Sequence, residues 1–480
     1  MNKSQVFKTA INSFLHVFFM HLGTFFVTIS ITRILSVDDY GIISLANSLI
    51  FFLIIVFSAG IPNSLARFLV EYDSRDYFHR LILRSISIFI PWSILIIIIY
   101  LISFPIISSN IFENAFLNDY KHIIILIVII SILRLFIEKI SHGTLNMEIA
   151  AKMGMLTAIL MLFVIPTAIL YNSAYSVLIA KSICLSIPLL YAVPKLVTKI
   201  KKNTNEKKTY ILPKKVEILK YGLPLSIISI AGFGFLQADI LLLSFYVDSK
   251  SIAYYSIAIF LYMRLVTIPR SLGNGLGPFI AKNKDNTNKI TIYYQRSILL
   301  TVAFVVPVVL FLIFNGKTFL IFLFGKNYEN SYSVLSILSI FFILSSCLGI
   351  INPILDFSGK ANLRAKAVII GSILNIFLDL ILIPKYGIDG AAYATVIGYF
   401  FFFLIIFLSL ENKILIHIIK YKELNILLFF SIFILIPLLI LSTNYLTFSI
   451  YVNNLIIFIF YPFLIYALKI FNKEDLKIFL

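Results

Sequence analysis

The chain has 480 residues, of which 60% are hydrophobic and 13% charged, with a formal net charge of +18. That balance excludes an ordinary soluble domain and points to a protein built into a bilayer. The only two cysteines, Cys184 and Cys347, fall within apolar stretches, so no disulfide framework is expected.

In chain order, about fourteen segments reach the ~20 apolar residues that a spanning helix requires. They run at roughly 9–32, 41–63, 82–106, 120–141, 150–171, 175–197, 219–246, 252–280, 291–315, 331–355, 362–384, 388–410, 424–443 and 447–470. The first stretch is too long for a signal peptide and lacks a small-residue cleavage site, so it reads as a span. With the N-terminus inside, the inner loops collect Lys3, Lys8, Arg67, Arg75, Arg80, Arg84, the Lys-rich stretch Lys199–Lys215 and the basic C-terminal tail. Outside fall Arg33, Lys121, Lys250, Lys317, Lys326 and Lys385. This positive-inside asymmetry predicts cytoplasmic termini in a multi-pass cell-membrane protein. It assigns the basic excess to topology and contact with anionic lipid, not to nucleic acid.

The polar stretch ending in Pro213 follows six spans and precedes eight. The expected organisation is an N-lobe at 1–198, a basic cytoplasmic linker at 199–217, a C-lobe at 218–411, and a C-terminal helix pair with its tail at 412–480. An internal echo supports two repeats: S-V-D-D-Y-G-I-I-S-L-A (Ser36–Ala46) against Y-V-D-S-K-S-I-A-Y-Y-S-I-A (Tyr246–Ala258). An even span count gives both halves one orientation, which suits a central cavity opening to either side. No loop is long enough for a soluble catalytic domain, and no phosphate-binding or metal-spaced motif is present. The expectation is a transporter, not an enzyme.

Ionisable groups within spans carry the functional signal, because each costs several kcal/mol in hydrocarbon unless paired or facing water. Arg134 is near mid-span, with Glu138 four residues later on the same face, where a local ion pair competes with a functional role. Asp239 lies about eight residues from the outer end of the seventh span. Arg264 sits near the midplane of the eighth, and Arg270 lies six residues deeper, beside Pro269, Gly273, Gly275 and Gly277, which read as interruptions where the helix bends. Asn375 and Asp379 share a face of the eleventh span, and Thr395 enters the twelfth at a similar depth. Asp239, Asn375, Asp379 and Thr395 thus offer oxygens at one level. That set suits a hard monovalent cation such as sodium, with proton exchange and plain inter-helix bonding as the competing readings. Gln237 and Asn274 are mid-membrane amides, candidate cavity contacts or helix glue. Lys181 reads as an interfacial lysine, and His16 and His21 are too sparse for a metal site.

The run R-I-L-S-V-D-D-Y-G-I-I-S-L-A-N-S-L (Arg33–Leu49), then G-I-P-N-S-L-A-R-F (Gly60–Phe68), resembles the start of a polysaccharide-type flippase. L-F-G-K-N-Y (Leu323–Tyr328) and L-I-L-I-P-K-Y-G-I-D-G-A-A-Y-A-T (Leu380–Thr395) resemble its second half. The likeness is to the multidrug/oligosaccharidyl-lipid/polysaccharide exporter superfamily, in particular O-antigen-unit (Wzx-type) flippases and their lipid II flippase relatives. It covers about the first 410 residues.

That resemblance implies an all-α membrane fold of about fourteen helices, two six-helix lobes around a central cavity plus a C-terminal pair. It implies a polyprenyl-pyrophosphate oligosaccharide as cargo, with polymerase or ligase machinery and membrane lipids as partners. Tyr262–Arg270 is similar to the eighth-helix segment in which lipid II flippases carry a substrate-binding arginine, which singles out Arg264, and Arg67 matches a basic position of the flippase pattern. Arg270, from its depth, is a candidate guide for a head group entering from inside or a snorkelling residue, and Arg134 a further candidate. Guanidinium suits a pyrophosphate because its donors bind bidentately and it stays charged. The acidic positions resemble a lipid II flippase sodium site, in which a backbone carbonyl near Ala391 completes the shell. That group carries arginines in its first helix, where this chain offers His16 and His21, so the sugar stays open. The rivals are a cation-coupled multidrug exporter of the same fold, a membrane glycosyltransferase, polymerase or ligase, and a non-catalytic assembly partner.

Overall fold

The computed structural model describes residues 3–71, 74–110, 119–200, 211–282, 287–357, 360–409, 422–431, 435–437, 439–440 and 453–467. Among these residues the secondary structure is helical throughout, with no strand. In hydrocarbon every backbone donor and acceptor must be satisfied within its own segment, and the helix does so. The last two predicted spans, 424–443 and 447–470, lie partly outside the described residues; helix is seen there at Lys422–Phe430 and Tyr461–Ala467.

The first helices are α1 (Lys3–Ile34), α2 (Val37–Ser58), α3 (Ile61–Leu69), α4 (Arg75–Asn110), α5 (Lys121–Gly143), α6 (Met147–Met161), α7 (Val164–Tyr171) and α8 (Ala174–Ile200). Then follow α9 (Lys215–Leu236), α10 (Ala238–Leu243), α11 (Ser249–Lys282), α12 (Thr287–Phe324), α13 (Ser331–Phe357) and α14 (Ala361–Leu408). Nine helical segments among the described residues are long and apolar enough to cross a membrane. They include Val37–Ser58, Met147–Tyr171 and Ala361–Leu408, so the molecule is a multi-pass membrane protein.

Several predicted spans are composite. The second is α2 and α3, joined at Ala59 and Gly60, both left-handed (φ 45° and 67°), just before Pro62. The seventh breaks at Gln237, between α9 and α10. The eleventh and twelfth form one element, α14, which reverses at Gly387 (φ 56°, ψ −131°), a conformation open mainly to glycine. Its arms lie side by side, since a Cβ on Gly398 would come 2.9 Å from Cβ of Asn375. By contrast, α11 runs unbroken through Pro269 and Gly273, against the expectation of an interrupted helix. There Gly273 serves close packing instead: a Cβ on it would stand 2.2 Å from the Gly349 carbonyl of α13.

The chain forms two compact units, one of Met1–Phe233 with Ile240–Ala253, the other of Gly234–Asp239 with Tyr254–Leu480. In the first, α1 packs on α6 and α7, while α5 contacts α2, α3 and α8. Within this unit, residues 215–233 and 240–253 meet α2 and α3 through close backbone approaches. A Cβ on Gly60 would lie 2.1 Å from the Gly222 carbonyl, and Ser64 Oγ donates to the Ile218 carbonyl at 2.8 Å. At the other end of α2, a Cβ on Gly41 would lie 1.9 Å from the Ser249 carbonyl, and Asp38 pairs with Lys250 at 3.7 Å. In the second unit, α13 packs on α12 and on α14.

Candidate cation cluster and arginine helix

The second unit brings Asp239, Tyr255, Asn375, Asp379 and Thr395 together, all fully or almost fully buried. Local sequence explains the convergence. Gly234 lets the end of α9 approach α14, where a Cβ would strike Ser372 Oγ at 1.9 Å. Phe235 stacks on Tyr399 of the same hairpin with ring centroids 4.4 Å apart. The chain leaves helix at Gln237 and restarts at Ala238, which places Asp239 in the first turn of α10. Asn375 and Asp379 come from the first arm of α14 and Thr395 from the second.

Asn375 Nδ2 donates to Asp239 Oδ1 at 3.2 Å and to Asp379 Oδ2 at 2.9 Å, so one amide bridges both carboxylates. Thr395 Oγ1 lies 2.6 Å from Asp239 Oδ2 and 3.0 Å from the Ala391 carbonyl; its single proton serves one of them at a time. Tyr255 Oη donates to Asp239 Oδ2 and lies 3.3 Å from Thr395 Oγ1. Asn375 Oδ1 and Asp379 Oδ1 are buried without a hydrogen-bond partner. Such orphaned oxygens beside two carboxylates match the donor set of a hard cation, which takes oxygen ligands only. Among the described residues no group of three or more His, Cys, Asp or Glu could hold a metal ion, so a transition-metal centre is not what these residues build.

The structure thus brings all five sequence-predicted cation residues, Asp239, Asn375, Asp379, Thr395 and Ala391, into one cluster. Tyr255 went unnoticed. The signal was within the repeat echo: a tyrosine in the middle of an apolar helix needs a partner for its hydroxyl.

The four predicted arginines fall into the two units. In the second, Arg264 is half-buried on α11 with its guanidinium carbon 4.8 Å from the Phe260 ring centroid, a cation–π contact. Arg270, two turns further along α11, is exposed. In the first unit, Arg134 is buried: Nη1 donates to the Leu185 carbonyl at 3.0 Å and Nη2 to Thr157 Oγ1 at 2.7 Å, with Glu138 attracting it electrostatically. Those bonds tie α5 to α6 and α8, which is the work of an inter-helix brace. Arg67 is exposed and pairs at 3.2 Å with Glu71, just past the end of its helix. Lys181 donates to Asn47 Oδ1, joining α8 to α2 inside the first unit. Gln237 is half-buried at the α9–α10 break, and His21 is exposed. The side chains of His16 and Asn274 lie outside the described residues. Cys184 and Cys347 are free and buried.

Residues 30–333 match the family model described as polysaccharide biosynthesis protein. A probable low-salt glycan biosynthesis flippase of Haloferax volcanii is 24% identical over 173 residues, 36% of this chain and 37% of that protein. The chain spans only 41% and 37% of the lengths of the two curated relatives it matches. Among solved structures, a lipid II flippase in an inward closed conformation superposes with a TM-score of 0.73 at 19% identity, covering 96% of this chain and 99% of the other. An inward-facing multidrug resistance MATE family transporter of the MOP superfamily gives 0.63 at 16% identity, covering 84% of this chain and 96% of the other. These likenesses assign the fold, an all-helical membrane architecture of about fourteen transmembrane helices.

Proposed function

We propose, from the premise that this chain belongs to the polysaccharide biosynthesis protein family, that it is a flippase for a lipid-linked oligosaccharide. The cargo is a polyprenyl-pyrophosphate sugar carried from the inner to the outer leaflet of the cell membrane by alternating access, with both termini cytoplasmic. No bond is made or broken, so the protein is not an enzyme. The machinery that polymerises or ligates the sugar is the partner downstream.

The observation that carries this reading is Arg264, a guanidinium inside the apolar span Ser249–Ser271 of α11. An ionisable group at that depth is rare and marks a candidate substrate path. A pyrophosphate head, whose own charge forbids unassisted passage through hydrocarbon, needs a cationic group along such a path. The planar donors of arginine match phosphate oxygens bidentately. Arg270, exposed on the same helix, would guide the head group, and so would the exposed Arg67, while Arg134 braces helices of the first unit.

Two buried carboxylates side by side are tolerated when a cation neutralises them or when they share a proton. Asp239, Asn375, Asp379, Thr395 and the Ala391 carbonyl would hold a sodium ion, which would supply the neutralising charge when bound. The orphaned Asn375 and Asp379 oxygens support sodium over a purely structural cluster.

The direct test is flipping of a fluorescent polyprenyl-pyrophosphate sugar in proteoliposomes, wild type against Arg264→Ala. The expected result is activity in the wild type that falls at least tenfold in the variant. Flipping that survives the change removes Arg264 from the site. Transport of an organic cation, with lipid-linked sugars left in place, replaces the flippase reading with a multidrug exporter.

A further inference from the structure

We propose that Tyr255 is the positioning residue through which the cation cluster acts on the helix carrying Arg264; this rests on the cation reading above. Three observations meet here. Tyr255 is completely buried and its hydroxyl donates to Asp239 Oδ2, the same oxygen that Thr395 Oγ1 approaches at 2.6 Å. It is the residue of α11 that touches the carboxylate cluster, whose other members belong to α10 and α14. And α11 is held again further along, where Gly273 meets the Gly349 backbone of α13 so closely that a Cβ would stand 2.2 Å from its carbonyl oxygen.

Residue spacing gives these anchors their meaning. Arg264 lies nine residues after Tyr255 and nine before Gly273, about 13 Å along the helix from each. At 3.6 residues per turn, nine residues turn the helix through two and a half revolutions. Tyr255 and Gly273 therefore face one side of α11, and Arg264 faces the opposite side. The glycine contact is a backbone-to-backbone fulcrum without a flexible side chain between. The Tyr255 contact is a single hydrogen bond to a carboxylate whose partners change with occupancy. An oxygen of Asp239 given to a cation is shared less with hydroxyl donors, and the Thr395 proton has the Ala391 carbonyl as its other acceptor at 3.0 Å. The Tyr255 hydroxyl has no second acceptor of that kind beyond Thr395 Oγ1, at 3.3 Å. A change at Asp239 is thus carried into α11 through the ring, and it swings the mid-helix arginine about the glycine contact.

The test uses purified full-length protein carrying Ile268→Cys, one turn beyond Arg264 at a position 45% exposed. Two readouts are taken over a sodium titration with potassium as control: thermal stabilisation, which reports binding, and maleimide-labelling rate at position 268, which reports the arginine side of α11. In this parent, sodium should stabilise the protein and change the labelling rate at least threefold, and Asp239→Asn should abolish both effects. Tyr255→Phe should keep the sodium midpoint within threefold of the parent yet lose the labelling change. If labelling in Tyr255→Phe still follows sodium, Tyr255 is a packing residue and the proposal falls. Loss of stabilisation and labelling change together makes Tyr255 part of the binding shell, which also overturns it. If sodium affects neither readout in the parent, the cation reading itself fails and takes the proposal with it. Should Tyr255→Phe not give a monodisperse protein, Tyr255→His, which keeps a ring N–H donor, is expected to retain the labelling change, and its loss there overturns the link.

Discussion

At the scale of single residues, the carboxylate cluster depends on donors that differ by one atom group. Thr395 Oγ1 is within 2.6 Å of Asp239 and 3.0 Å of the Ala391 carbonyl, so the hydroxyl is the group that the cluster uses. Thr395→Ser is expected to keep sodium-dependent flipping near the wild-type level. Thr395→Val, of almost the same shape, should lower it at least tenfold, a contrast that proteoliposome flipping in sodium against potassium reads directly. The cluster residues were legible in sequence because helical spacing put Asn375 and Asp379 on one face and counting from span ends put Asp239 and Thr395 at their level. Tyr255 was not, since its partners lie 16 and 140 residues away and no spacing rule joins them. The role of Arg134 was half legible. Glu138 could be read off the same helix, whereas Thr157 and Leu185 are across-helix partners that only packing reveals.

At the scale of elements, hydropathy located the spans but was blind to their breaks. It averages over some twenty residues, and the interruptions at Ala59–Gly60 and Gln237 occupy one or two. The hairpin in α14 is the exception: Pro384 marks the end of its first arm, and Gly387 makes the reversal. Because Gly387 has φ 56° with ψ −131°, Gly387→Ala should destabilise the protein by about 1–3 kcal/mol, seen as a lower midpoint in detergent thermal unfolding. Gly41 is constrained differently, being helical but pressed to within 1.9 Å, for a hypothetical Cβ, of the Ser249 carbonyl. Gly41→Val should part α2 from the start of α11 at a cost of about 1–3 kcal/mol. Cysteine pairs at Asp38 and Lys250, now 3.7 Å apart between charged atoms, are expected to cross-link less readily in that variant.

At the scale of the whole molecule, composition and the distribution of lysine and arginine carried most of what could be known from sequence. A bilayer solvent forces helices, and the charge bias along the loops orients them. Topology reporters fused after residues 8 and 205 should therefore register the cytoplasmic side, and one fused after residue 326 the opposite side. How 215–233 and 240–253 pack inside the first unit was invisible, because the joint is made largely by main chain: Gly60 against the Gly222 carbonyl, Gly41 against the Ser249 carbonyl, with the Ser64 hydroxyl on the Ile218 carbonyl. A joint of that kind does not read side chains, apart from demanding that a few positions have almost none. Chains that share little of their vocabulary can still share such a joint, provided those few small residues persist. Around that joint, aliphatic residues can be exchanged for one another, whereas positions 41, 60 and 222 have room for little more than a hydrogen atom.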